Sequence, residues 1–178
     1  MSTQPDHQSA QEKARFQVFR ATDARKLMEA GLMRLQPFDA IQQAGSDELL
    51  KVGYLEGDET QVLFNVPGFS LVRAWLKKDY PLLLHSHDAD CLYFILAGSL
   101  KMGTEELGQG DGFFVPAGAR YQYRPGPVGV EVLEFRHATH FDFRNFTQGE
   151  AFYRKAVETV KANVEEWRHA KRPSEAIS

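Results

Sequence analysis

From Gln61 to Phe143 the chain is a succession of short β-like runs, and this constrains the fold more than any other feature. The runs are residues 61–66, 70–77, 82–87, 91–97, 100–103, 112–115, 120–124, 130–136 and 141–143, separated by Gly, Pro, Asn and Asp. They are rich in Val, Ile, Leu, Phe and Tyr, residues that suit a pleated, half-buried surface. Closely spaced strands with turns between them and no intervening helices predict antiparallel pairing in a sandwich or barrel. Such a sheet encloses an interior that side chains fill or a ligand occupies.

The flanks read differently. After Asn145 the apolar period changes: Phe152, Ala156, Val160, Val164 and Trp167 recur at steps of three and four. That spacing predicts an amphipathic helix over 148–170, its apolar stripe laid on the outside of a sheet or into a partner subunit. Before the strands, residues 23–31 read as a short helix with Thr22 or Asp23 as N-cap and Gly31 as its stop. Residues 38–57 show no clear period and read as an ordered extension with one or two strands. The expected organisation is a disordered tail at 1–14, a barrel with its N-terminal extension at 15–147, the helix at 148–170 and a disordered tail at 171–178.

Composition narrows the function classes. A chain of 178 residues suits one packed domain. With 21 Lys and Arg against 24 Asp and Glu, the net charge of -3 supplies no field that would draw nucleic acid or an anionic membrane. No apolar run approaches a membrane span, and the N-terminus lacks the apolar stretch of a signal peptide, so a cytoplasmic protein with no membrane partner is expected. The single cysteine cannot form an intrachain disulfide.

The chemistry concentrates in residues 84–98, L-H-S-H-D-A-D-C-L-Y-F-I-L-A-G. Side chains alternate along a strand, so His85 and His87 share a face and can converge on one metal ion or one substrate. Two buried imidazoles without such a partner would need several hydrogen bonds of their own. Glu131 and Glu134 have opposite parity in one predicted strand, so one of them faces the interior. The inward set is then Glu131, Leu133, Phe135 and His137, or Val130, Val132, Glu134 and Arg136; burying Leu133 and Phe135 is the cheaper choice. Tyr93 and Tyr123 share the parity of Cys91 and Tyr121 and are expected inside. Arg73, Trp75 and Lys77 share a face that would suit an anionic or aromatic substrate if turned inward and solvent if not.

This middle of the chain resembles the cupins. Their first motif is H-x-H, three or four residues, Glu, six residues, Gly; here it reads His85, His87, Cys91 at the Glu position and Gly98. Their second is G, five residues, P-x-G, two residues, His; here it reads Gly110, Pro116, Gly118 and Tyr121 at the His position. The resemblance implies an all-β double-stranded β-helix, a jelly-roll barrel, with the short N-terminal helix and the C-terminal amphipathic helix appended, and a homodimer. It also implies a divalent metal, Fe, Zn, Mn or Ni, on His85 and His87, with Tyr121 as a further ligand. Dioxygenase-like chemistry, or lyase or isomerase chemistry on a small organic acid or carbonyl compound, would follow. In that frame Tyr121 positions or protonates the substrate, Glu134 is the interior base candidate and Cys91 offers a thiolate. His137 and His140, just beyond the strand, are further possible donors. Because two of the usual ligands are replaced, the alternative is a metal-free cupin that binds or senses a small molecule.

Overall fold

The computed structural model describes residues 16–176, so the tail expected at 1–14 lies outside the described residues. An N-terminal segment comprises a 3-10 turn at Ala21–Asp23, β1 (Arg25–Lys26), α1 (Leu27–Ala30), β2 (Met33–Leu35), α2 (Ala40–Lys51) and a 3-10 turn at Tyr54–Gly57. The sheet strands follow: β3 (Asp58–Val66), β4 (Phe69–Leu76), β5 (His85–Ser86), β6 (Cys91–Met102), β7 (Glu105–Gly108), β8 (Gly112–Val115), β9 (Arg124–Arg136) and β10 (Phe141–Asn145). Helix α3 (Glu150–His169) and a 3-10 turn at Pro173–Ala176 complete the described chain. No described helix is long and apolar enough to cross a membrane.

The strands form two sheets, as expected of an all-β jelly roll. The larger has the order β1-β3-β4-β9-β6-β7 with β8 on β6, and all its pairings are antiparallel. In the smaller sheet β10 lies between β2 and β5, parallel to β2 and antiparallel to β5. Strand β6 shows the alternation that places one face inside: Cys91, Tyr93 and Ile95 are buried while Leu92 and Phe94 are exposed. Its register against β9 shifts at Gly98, which has φ 74° and where a Cβ would meet Gly129 O at 2.2 Å. Only glycine allows this close approach of the two strands.

Strand β9 decides between the two inward sets, and it takes the charged one. Val130, Val132, Glu134 and Arg136 turn inward; Leu133 and Phe135 are only partly buried and His137 is exposed. The arrangement is possible because Glu134 and Arg136 neutralise each other and Arg136 lies 3.9 Å over the Phe141 ring. Glu131 is also fully buried, but on the other face, where the C-terminal turn covers it. Ser174 N–H donates to Glu131 Oε2 at 2.9 Å, and Arg172 reaches both Glu59 and Glu131. The stretch from 171, expected to fray, is therefore held down through residue 176 by a buried carboxylate that requires partners. Arg73, Trp75 and Lys77 lie on this covered outer face, with the Arg172 guanidinium 5.8 Å from the Trp75 ring.

The N-terminal segment departs from expectation twice. Residues 38–57 form no strand: α2 starts at a reciprocal capping box in which Asp39 accepts from Gln42 N–H and Gln42 Oε1 accepts from Asp39 N–H. The helix expected at 23–31 shrinks to Leu27–Ala30, because Arg25 and Lys26 pair with Val62 and Gln61 on β3; Gly31 does stop it, at φ 71°. Helix α3 occupies most of its expected range, but its stripe packs on α2 and the 54–57 turn. Gly45 lies against the Tyr153 ring, and Trp167 sits against Tyr80 with Nε1 donating to Lys78 O. Tyr153, Ala156, Val160 and Trp167 join the same apolar cluster as the barrel residues Tyr93, Ile95 and Val132.

Candidate functional site

Backbone pairing explains why the two sequence motifs meet. His85 N–H donates to Tyr121 O at 3.2 Å and Tyr121 N–H donates back to His85 O at 2.9 Å, while Gly118 N–H donates to His87 O at 2.7 Å. The P-x-G turn thus docks on the H-x-H strand, and the residue three after Gly118 lands beside the histidines. The rings of His85 and His87 lie 5.0 Å apart, and that of Tyr121 lies 4.4 Å from His85. All three border an interior cavity of about 100 Å³, with Asp58, Glu134 and Arg136 also in its wall.

The hydrogen bonds set the protonation states. His85 Nδ1 lies 2.7 Å from Leu83 O and His87 Nδ1 lies 2.5 Å from Asp142 O; carbonyls only accept, so both rings carry their proton on Nδ1. His87 Nε2 then accepts from the Tyr121 hydroxyl at 3.1 Å. Tyr121 in turn accepts from the Tyr93 hydroxyl, and Tyr93 accepts from Arg136 Nη2 at 3.3 Å. The result is one directional chain, Arg136 to Tyr93 to Tyr121 to His87, with His85 Nε2 outside it. Burial holds both imidazoles neutral: His85 is pushed down to about 3, with His87 adding to the effect, and His87 to about 4, with Arg136 adding to it.

Asp58 is the site residue that sequence reasoning missed. It opens β3 and accepts from Thr60 Oγ1 at 2.5 Å. Burial raises its carboxyl to about 6, the Thr60 bond opposing and the charge of Glu134 reinforcing the rise. The only sequence signal was a D-x-T step at the start of a strand, which is too common to single out. Arg136, named in one of the two alternative inward sets of β9, is the other charged participant. Its Nη1 lies 2.6 Å from Glu134 Oε2, in a geometry that does not form a hydrogen bond, and Nε has no hydrogen-bond partner.

The sequence-derived candidates divide. His85, His87, Tyr121 and Glu134 come together at the cavity, and Tyr93 and Tyr123 are interior as expected. Cys91 is buried in the apolar cluster and is not among the cavity-lining residues; burial pushes its thiol up to about 12, which leaves it in the unreactive form. Glu131 faces away from the cavity, and His137 and His140 are exposed.

The fold implies a metal, but the donor chemistry does not fit one. Among the described residues no group of three or more His, Cys, Asp or Glu gathers as a ligand set. The Nε2 lone pair of His87 is taken by a phenol, burial holds the Tyr121 hydroxyl well above its ordinary value, and Glu134 is committed to Arg136.

No protein-family model and no curated protein matches this sequence. Solved structures do. The polyketide cyclase RemF from Streptomyces resistomycificus aligns at 18% identity over 61% of this chain and 84% of its own, with a TM-score of 0.50. A protein of unknown function with a cupin-like fold from Ralstonia eutropha aligns at 16% identity over 85% of this chain and 90% of its own, with a TM-score of 0.49. An RmlC-like cupin from Shewanella frigidimarina aligns at 21% identity over 46% and 76%, with a TM-score of 0.41. At these identities the likeness is one of fold. With two sheets around an interior cavity, and an H-x-H strand docked on a P-x-G turn, this chain has the cupin fold.

Proposed function

We propose that the barrel interior is a metal-independent pocket that binds a small carbonyl or carboxyl compound and moves a proton on it. The observation that carries this reading is the hydrogen bond from Tyr121 to His87 Nε2, which spends the second histidine inside the protein's own network. What remains for a ligand is complementary. Arg136 brings positive charge for an oxygen, and His85 Nε2 brings a lone pair for a proton. Asp58 adds a carboxyl that titrates near neutrality. A ketone placed here would give its α-proton to His85 Nε2 while the oxygen gains negative charge facing Arg136, and the same Nε2–H, after exchange with solvent, would return a proton to the carbon and leave His85 neutral again.

The test is deuterium exchange. Protein treated with EDTA is expected to exchange the α-protons of 2-butanone in D2O, followed by NMR, and His85→Gln to abolish the exchange. Exchange that appears only when a divalent metal is added would overturn the reading. A second reading keeps a divalent ion on His85 and His87. It is favoured by the anchoring of both Nδ1–H groups on carbonyls, the usual outer-shell support of a metal-binding imidazole. Stoichiometric metal in the purified protein, lost in His85→Ala, would establish it instead.

A further inference from the structure

An apolar chamber of about 360 Å³ adjoins the polar cavity, between the N-terminal segment and the barrel. The two spaces share Met33, Asp58, Leu82 and Phe143 as a common wall. They differ in polar content. The inner cavity sets imidazole, phenol, guanidinium and carboxyl groups among apolar side chains, whereas the outer chamber is walled almost wholly by apolar and aromatic side chains, and Asp58 is its one charged group. The inner cavity is well below the volume of an ordinary ligand site and the chamber lies within that range.

The chamber also accounts for exposed apolar surface that the fold does not use. Met28 at 56%, Leu35 at 54%, Leu50 at 53% and Leu55 at 66% exposure all line it. These residues come from separate elements, α1, β2, α2 and the 54–57 turn, and converge only here. A contiguous apolar hollow of this kind marks a binding site rather than ordinary surface. Its floor touches the polar cavity at Asp58, which points to one occupant reaching across both.

We infer that this protein takes an amphipathic small molecule: a carbonyl or carboxyl head in the histidine cavity and an unbranched or aromatic apolar body, several carbons long, in the adjoining chamber. This rests on the proposed function for the head and goes beyond it in naming the body. Met33 and Leu82, flexible side chains on the shared wall, are the residues that would part to admit it.

The experiment is calorimetric titration of EDTA-treated protein at pH 7 with a series of 2-alkanones, from 2-butanone to 2-nonanone. Affinity is expected to rise about fourfold per added methylene, the equivalent of about 0.8 kcal/mol for each buried CH2, until the chamber is full. Leu50→Glu is expected to flatten that rise, and Leu35→Glu serves as a second variant should the first fail to fold. Arg136→Lys, which alters the charge that faces the carbonyl oxygen, should lower every member by a similar factor and keep the slope. Binding of all members with no dependence on length would overturn the chamber inference and leave the polar pocket standing. A slope that survives both glutamate variants would overturn it too, because the body would then lie elsewhere. If either variant converts a dimer to a monomer in light scattering, the hollow belongs to a second copy of this chain and the inference fails. Absence of binding by every ketone overturns it as well, and only the deuterium-exchange result on 2-butanone then decides the reading beneath it.

Discussion

Lowering the pH from 7 to 5 is expected to cost this protein about 2–3 kcal/mol of folding stability, and replacing His85 and His87 together should reverse the sign. In the unfolded chain each imidazole titrates near 6.5, whereas burial holds His85 at about 3 and His87 at about 4 in the folded one. Between those values the unfolded chain takes up protons that the folded chain refuses. The stability gained by keeping the rings neutral is therefore complete above 6.5 and drains away as the pH falls toward 4. Integrated from pH 7 to 5, each ring loses about 2 kcal/mol, and the pair about 4 kcal/mol. Asp58 runs the other way: its folded value is raised from 3.8 to about 6, so its penalty is largest at neutral pH. Acidification to pH 5 gives back about 1 kcal/mol of that penalty. The assay is urea unfolding followed by far-UV circular dichroism, in EDTA, at both pH values. The wild-type midpoint should fall at pH 5, while that of His85→Gln/His87→Gln should rise slightly through Asp58 alone. A wild-type midpoint that does not move, or a double variant that loses as much as the wild type, would refute the reasoning.

Three other perturbations follow from the packing. Gly45→Ala should destabilise by about 1–3 kcal/mol, since a Cβ there would meet Tyr153 Cγ at 2.2 Å where α2 crosses α3; calorimetry should show the melting temperature several degrees lower. Tyr93→Phe should lose about 1–3 kcal/mol by removing the link between Arg136 and Tyr121; a urea midpoint equal to wild type would mean that the chain of hydrogen bonds contributes nothing to stability. Arg172→Ala should cost about 3 kcal/mol by stripping charge from the fully buried Glu131, and Glu131→Gln in the same chain should recover part of it; additive losses in the denaturation curves would count against a direct interaction.

Much of the fold was legible because its determinants are local. The strand period between Gln61 and Phe143, the apolar stripe of α3 and the stop at Gly31 depend on neighbours a few residues away, and most appear near where the pattern predicts them; the run 82–87 shortens to His85–Ser86, and 120–124 keeps only the bridge at Tyr121 before β9 begins. The spacing of His85, His87, Gly98, Gly118 and Tyr121 was legible for a different reason: the backbone bonds from Gly118 to His87 and between Tyr121 and His85 require that register. The capping box at Asp39 and Gln42 was also present in the sequence, but a weak apolar period hid the helix it starts.

The character of the site was decided by tertiary structure. Both faces of β9 are covered, one by the barrel interior and one by the C-terminal turn, so burial cost could not say which of Glu131 and Glu134 points inward. Pairing with β4 and β6 settles it: Glu134 falls opposite Val72 and Tyr93, on the inward face, and carries Arg136 with it. That placement puts the Glu134–Arg136 pair in the wall of the histidine cavity, where Arg136 starts the chain of phenols that makes Tyr121 a hydrogen-bond donor to His87. Asp58, from a strand that alternation alone leaves anonymous, becomes a near-neutral carboxyl because the chain encloses it between two cavities. Sequence by itself determined that two histidines would meet inside a barrel. What stands around them, and therefore what chemistry they can do, depended on contacts between residues far apart in the chain, which no local pattern encodes.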